Sequence, residues 1–192
     1  MSTEKMDGKN ERLTHLARSG ETVFHARDLA NLWGITSANT LYATLKRYAQ
    51  TGVLFRIYKG FYSLHPPSEI NPYLLGVKAL HQYAYVSTET ILSREGIINQ
   101  PMRHITLVSA QSKHLTIGQR QYLSRRLRAA FLFNNAGVVE KDGVYFASVE
   151  RAVADMLYFN PRFHFDAEAL IDWKKVRRVQ QQVGYLPITR NI

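Results

Sequence analysis

The chain has 192 residues, 45% of them hydrophobic, and carries a formal net charge of +10 with an isoelectric point near 9.9. That length builds one compact domain or two small ones, and the charge fits three kinds of partner: nucleic acid, an anionic membrane surface or an acidic protein. Zero cysteines exclude a disulfide framework, a thiolate zinc site and a cysteine nucleophile.

No apolar run approaches the roughly 18 residues of a membrane span, and the opening MSTEKMDGKNERL has mixed charges and no apolar centre, unlike a secretory signal. These features predict a cytoplasmic protein with no membrane partner.

In chain order, residues 1–9 are polar and predicted to lie outside regular structure. Asn10–Ser19 spaces Leu13, Leu16 and Ala17 as one helical face ending at Gly20. A second helix is predicted over Ala26–Trp33, burying Leu29, Leu32 and Trp33 and stopped by Gly34. A third is predicted over Ser37–Gln50, with Ser37 as N-cap and Gly52 just past its end.

VLFRIYKGFYSL then reads as two strands turning at Tyr58-Lys59-Gly60. In the first strand Val53, Phe55 and Ile57 are predicted to face one side, Leu54 and Arg56 the other. Helix, turn, helix and basic hairpin is the winged helix-turn-helix order, in which the second helix of the motif enters the DNA major groove.

On a helical wheel from Leu41, at about 100° per residue, Ala38, Leu41, Leu45 and Tyr48 form the inner stripe. Asn39, Thr40, Ala43, Lys46, Arg47 and Gln50 form the opposite face. Small residues allow close approach to a groove, an amide reads adenine edges, and Arg reads guanine or holds phosphate. Asn39, Thr40 and Arg47 are therefore candidate base readers, and Thr36, Ser37, Lys46, Arg56 and Lys59 candidate phosphate contacts, with Tyr58 at the wing tip. Between Leu29 and Ser68 there is no Asp or Glu. A solvated helix face accounts for the helix residues equally well when the helix is taken alone; the basic hairpin beside it tips the balance towards DNA.

HPPSEINP, His65 to Pro72, packs three prolines into eight residues and reads as a linker. It separates a DNA-binding domain, 1–66, from a C-terminal domain, 67–192. In the latter, Pro72–Gln82 and Ser87–Arg94 read as helices, and Arg103–Ser109, Arg126–Phe133 and Gly143–Phe146 as strands. Ser148–Phe159 reads as an amphipathic helix capped by Ser148, and Ala167–Val183 as helical, in two pieces around Trp173. The fold class is α+β, a winged helix-turn-helix followed by a mixed α/β domain.

A second acid-free window, Gly96 to Val139, holds Arg103, Lys113, Arg120, Arg125, Arg126 and Arg128. It reads as a second phosphate-facing surface, a face for an acidic protein, or a solvated basic strand face. Partial pairing with Glu168 and Asp172 accounts for the KKVRR cluster, Lys174 to Arg178, without a ligand.

Signs of catalysis are sparse. The seven histidines never fall at metal-ligand spacing such as HxxxH, and no phosphate-binding or nucleophile-elbow glycine pattern occurs. Asp155 is a candidate catalytic carboxylate but reads better as a structural acid paired with an Arg such as Arg151 or one from the basic window. No catalytic residue, metal ligand or cofactor is predicted.

VFHARDLANLWGI with TLYATLKRYAQTGVLFRIYKGFYSL resembles the N-terminal winged-helix segment of AbiEi-type antitoxins of bacterial type IV toxin–antitoxin systems. YAYVSTETILSREGII, ITLVS and FASVERAVADMLYF are similar to three later segments of that family, in the same order. Coverage runs from about residue 22 to 160. Ser148-Val149-Glu150-Arg151 stands where the family usually has Ser-Pro-Glu-Lys, and the tail after Asn160 has no counterpart.

The resemblance implies an autorepressor that binds inverted repeats in a promoter, and whose C-terminal domain counteracts a nucleotidyltransferase-like toxin; two copies on the repeat is the geometric expectation for a DNA-reading helix of this kind. The residues leave three rivals open: a stand-alone regulator with a ligand-sensing C-terminal domain, a protein-binding module with a basic face, and a nuclease.

Overall fold

The structure, a computed structural model, describes residues 3–186. The chain divides into two compact units, Met1–Asn71 and Pro72–Ile192, together a mixed α+β protein. Among the described residues no helix is long and apolar enough to cross a membrane.

The first unit runs α1 (Thr3–Arg18), β1 (Val23–His25), α2 (Ala26–Leu32), α3 (Ala38–Gln50), β2 (Phe55–Tyr58) and β3 (Phe61–Ser63). Its sheet is antiparallel in the order β1-β3-β2. Leu16, Phe24, Leu29, Leu41, Leu45, Tyr48, Leu54 and Tyr62 form the core, with Trp33 half-buried against it. Ser37 caps α3 by accepting a hydrogen bond from the Thr40 amide, which satisfies one of the donors a helix start leaves free.

Four expectations need correction here. α1 begins at Thr3, so the segment taken as irregular belongs to a helix. β1 precedes α2: Val23–His25 is three residues long, too short for its apolar pattern to be told from a helix start, and takes its strand state from pairing with the distant β3. Leu54 does not share a face with Arg56: the amides of Val53 and Leu54 both donate to the Tyr48 carbonyl, turning Leu54 into the core before β2 begins. Ala38 is exposed, and Thr44 completes the buried stripe of α3 instead.

The second unit runs α4 (Pro72–Leu80), β4 (Ala84–Val86), α5 (Glu89–Arg94), β5 (His104–Ser109), β6 (Lys113–Ile117), β7 (Arg120–Arg126), α6 (Ala129–Leu132), β8 (Val138–Lys141), β9 (Val144–Ala147), α7 (Val149–Phe159), a 3₁₀ turn (Glu168–Leu170) and α8 (Trp173–Val183). The strands form one mixed sheet in the order β6-β7-β5-β4-β9-β8, with β5/β7 and β4/β9 parallel.

Successive residues of β5 face opposite sides. Leu107 meets α4, where a side chain at Gly76 would come within 2.5 Å of the Tyr122 ring. Thr106 meets Thr90 of α5 on the other side. The sequence expected a strand over 126–133. β7 instead ends at Arg126, and Ala129–Leu132 coils into α6, since this stretch of helix formers contains no β-branched residue.

Beneath the sheet lies a closed polar network. Arg151 and Asp155, one turn apart on α7, are both fully buried and ion-paired at 2.8 Å. The Arg151 guanidinium also donates to the carbonyls of Phe131, Asn134 and Ala136 and to the Tyr85 hydroxyl. Asp155 accepts from Tyr85, Ser87 and Tyr185. Burial is the largest single influence and opposes the charge on Arg151, but the Asp155 carboxylate, with Tyr85 and Tyr185, outweighs it and raises the guanidinium above its ordinary value.

Candidate nucleic-acid interface

The inner face of α3 is held by Leu41, Thr44, Leu45 and Tyr48, all buried. Trp33 stacks edge-on against Tyr48 at 5.5 Å and fixes the helix about its axis. The outer face is then determined: Asn39, Thr40, Ala43, Lys46, Arg47 and Gln50 are all exposed, as are Thr36 and Ser37 ahead of the helix. The Arg47 guanidinium lies 5.7 Å from the Tyr48 ring centroid.

The hairpin turns at Lys59-Gly60, with Gly60 at φ +83, a conformation open to glycine and strained for other residues. The register shifts between Arg56 and Tyr58, so Arg56 pairs with Tyr62 and Tyr58 with Phe61. Lys59 is exposed at the turn. Tyr58, expected at the tip, is half-buried with its ring 5.0 Å from Phe61, and burial pushes its hydroxyl above the ordinary phenol value.

Between α3 and the hairpin lies a cavity of about 460 Å³, lined by Tyr42, Leu45, Lys46, Ala49, Gln50, Arg56, Lys59 and Tyr62. Three of these residues are cationic and none is acidic. The Tyr62 hydroxyl is pushed up by burial, partly countered by the Arg56 charge, so it remains an O–H donor at neutral pH. Three cations with a phenol donor suit a run of phosphate oxygens.

Lys46, Arg56 and Lys59 are thus brought together. Arg47 stands about 100° further round the helix from Lys46, on the flank away from the hairpin, with Asn39, Ala43 and Gln50 between them. Two lining tyrosines were missed from sequence. Tyr42 is 47% exposed and sits next to the face already singled out on the wheel, so its signal was present. Tyr62 is a strand residue whose place depends on pairing with Arg56, which local pattern does not reveal.

The six cations of the second window do not share one surface. Arg125 ion-pairs with Glu89 and lies over the Phe159 ring. Lys113 and Arg126 fall on the opposite face near one end of β7, and Arg128 stands exposed just ahead of α6. Arg103 and Arg120 line a separate cavity at the other end of that strand. On α8, Lys175 pairs with the capping residue Asp172, while Lys174, Arg177 and Arg178 are exposed. Among the described residues no group of three or more His, Cys, Asp or Glu side chains is placed to hold a metal ion.

No family model and no curated protein matches the chain. Among solved structures, it is similar to the crystal structure of the RV2827C protein from Mycobacterium tuberculosis. That similarity has a TM-score of 0.53 at 14% identity, over 91% of this chain and 71% of that one. At such identity the likeness is one of fold, the mixed α+β architecture.

Proposed function

We propose that this chain is a sequence-specific DNA-binding protein whose first unit acts as a winged helix-turn-helix. The observation that carries this reading is the acid-free outer face of α3 continuing into the Lys46–Arg56–Lys59 cavity under the hairpin. Asn39, Thr40 and Arg47 face base edges in the major groove. Ser37 and Thr36, at the start of α3, meet phosphate together with the free amides there. Lys46, Arg56 and Lys59 hold the backbone on the hairpin side. Two copies on an inverted repeat follow from this docking geometry.

The resemblance to AbiEi-type antitoxins extends the proposal. The protein represses its own operon, and the second unit counteracts a nucleotidyltransferase-like toxin. The toxin half rests on likeness of the 83–98, 105–109 and 146–159 segments.

Titration of promoter DNA at several salt concentrations tests the first half. If about six phosphates are neutralised, log K falls with log salt at a slope of about −5; a slope near zero ends the DNA reading. Co-expression with the neighbouring gene, scored for growth rescue by the full chain, tests the second. Operator binding without rescue would leave a stand-alone regulator.

A further inference from the structure

The sheet of the second unit ends on two unlike edges. In the order β6-β7-β5-β4-β9-β8 the outer strands are β6 and β8, and among the described residues no strand pairs with either free edge. β6 exposes Lys113, His114 and Thr116, the polar guard expected of an edge that stays single. β8 instead exposes Val139, 64% accessible. On the neighbouring strand the Tyr145 ring packs on Tyr83, and Tyr83 on Phe133, yet Tyr145 and Phe133 remain 37% and 62% exposed. Apolar and aromatic side chains, which contact surfaces favour, thus gather at the β8 end of the sheet.

The backbone of β8 has groups free to pair. Asp142 and Gly143, both at positive φ, form a two-residue turn, so Lys141 and Val144 are the hydrogen-bonded pair that closes the hairpin. Such pairs alternate along an antiparallel ladder, which makes Val139 and Phe146 the next one. The N–H and C=O of Glu140 and the C=O of Val138 therefore turn outward. The Val138 N–H is already engaged, donating to the Asn135 carbonyl.

We propose that two copies of this chain join β8 to β8, antiparallel, about a two-fold axis through Val139, making one continuous sheet. In this register each Glu140 N–H donates to the Val138 carbonyl of the other copy. The two Val139 side chains meet on the axis, and no like charges stand directly opposite. A register centred on Glu140 would set two carboxylates face to face, which is destabilising. One centred on Val138 would call on N–H groups that are already engaged. The contact uses the same patch twice, so it closes at two copies. The DNA reading already calls for two copies on an inverted repeat, and the choice of a second copy over a foreign strand rests on that reading.

Val139→Cys in this otherwise cysteine-free chain tests the pairing. Facing residues of a non-hydrogen-bonded antiparallel pair stand about 4.5 Å apart at Cα, within disulfide range. With oxidised glutathione, with or without promoter DNA, full-length Val139→Cys should form a covalent dimer at least about tenfold faster than Thr116→Cys on the other edge. Adding Glu140→Pro removes an outward N–H without touching the hairpin ladder, and should abolish the difference. Sedimentation of the unaltered chain should show a concentration-dependent dimer. Val139→Lys, which sets like charges on the axis, should be monomeric and unfold at the same temperature as the unaltered chain. Equal rates at positions 139 and 116, or a rate at 139 that Glu140→Pro does not change, overturn the pairing. A gel shift on the promoter separates the two readings. Promoter binding with equal rates strikes the edge contact alone, whereas selective crosslinking without promoter binding upholds the contact and ends the DNA reading.

Discussion

Arginine and tyrosine meet in both units under opposite conditions. In the second unit Arg151 is fully buried, and its donors go to Asp155, to Tyr85 and to three carbonyls. In the first unit Arg56 shares a solvent-open cavity with Lys46, Lys59, Tyr42 and Tyr62, with no carboxylate lining it. A buried charge survives only with its partners built in. An exposed one needs none for folding, so a gathering of three without an acid is, on the DNA reading proposed above, a surface for phosphate. The contrast sets charge that the fold satisfies internally against charge that it leaves open to solvent, and each side of it can be broken.

The largest effect is expected on the buried side. Asp155→Ala strands the Arg151 guanidinium inside the second unit and should reduce stability by about 3–5 kcal/mol, read by urea or thermal unfolding. Replacing both partners with apolar residues, as in Arg151→Met with Asp155→Leu, should recover much of that loss. If Asp155→Ala unfolds at the same denaturant concentration as the unaltered chain, the network does not hold the unit.

On the exposed side the signs reverse. Lys46→Ala, Arg56→Ala and Lys59→Ala together should leave stability within about 0.5 kcal/mol, as for surface substitutions generally. On the DNA reading they should flatten the salt slope of promoter binding by about three. Arg47→Ala should weaken operator binding by about 1–3 kcal/mol and relax discrimination at one base position. Unchanged promoter binding in both variants would dissociate the cavity and the α3 face from DNA.

A smaller signature of the comparison lies in alkali. Burial pushes the Tyr85 and Tyr185 hydroxyls far above their ordinary value, reinforced by the Asp155 charge and partly countered by Arg151. A group whose folded value is raised stabilises below its unfolded value, about 10 for a phenol, and loses that contribution as pH rises beyond it. Stability of the second unit should therefore decline above about pH 10. Tyr185→Phe should make the decline shallower, while costing a hydrogen bond at neutral pH. A pH profile of unfolding midpoints, compared between the two chains, reads both.

How much of this was visible in sequence follows from how local each cause is. α3 and α7 were legible because the cap is a neighbour of the helix it starts: Ser37 receives the Thr40 amide and Ser148 the Arg151 amide. The outer face of α3 followed from spacing alone. β1 and β6–β8 were not legible, because three- to seven-residue strands owe their state to partners far along the chain. Both cavities were hidden for the same reason. Arg103 and Arg120 lie side by side only through the parallel pairing of β5 with β7, and Lys46 shares a space with Arg56 only because the hairpin folds beside α3. The sequence points to Asp155 as a structural acid paired with an Arg, either Arg151 or one of the basic window; the structure selects Arg151, and nothing local announces Tyr85, Ser87 and Tyr185 around it.

The smallest effect tests the border between the two regimes. Tyr48 belongs to the first-unit core, fully buried, and its hydroxyl has no hydrogen-bond partner. Its ring is what α3 needs: Trp33 packs edge-on against it and the Arg47 guanidinium lies over it. A buried hydroxyl without a partner carries a desolvation cost of about 1–3 kcal/mol with nothing gained in return. Tyr48→Phe should therefore leave the unit as stable as before, or raise its stability by up to about 1 kcal/mol, without altering promoter affinity. Tyr48→Ala should do the opposite on both counts, losing about 3–5 kcal/mol through the cavity it opens and releasing the orientation of α3. Measured midpoints in which Tyr48→Phe is the more damaging of the two would show that the hydroxyl, and not the ring, is what holds the helix in place.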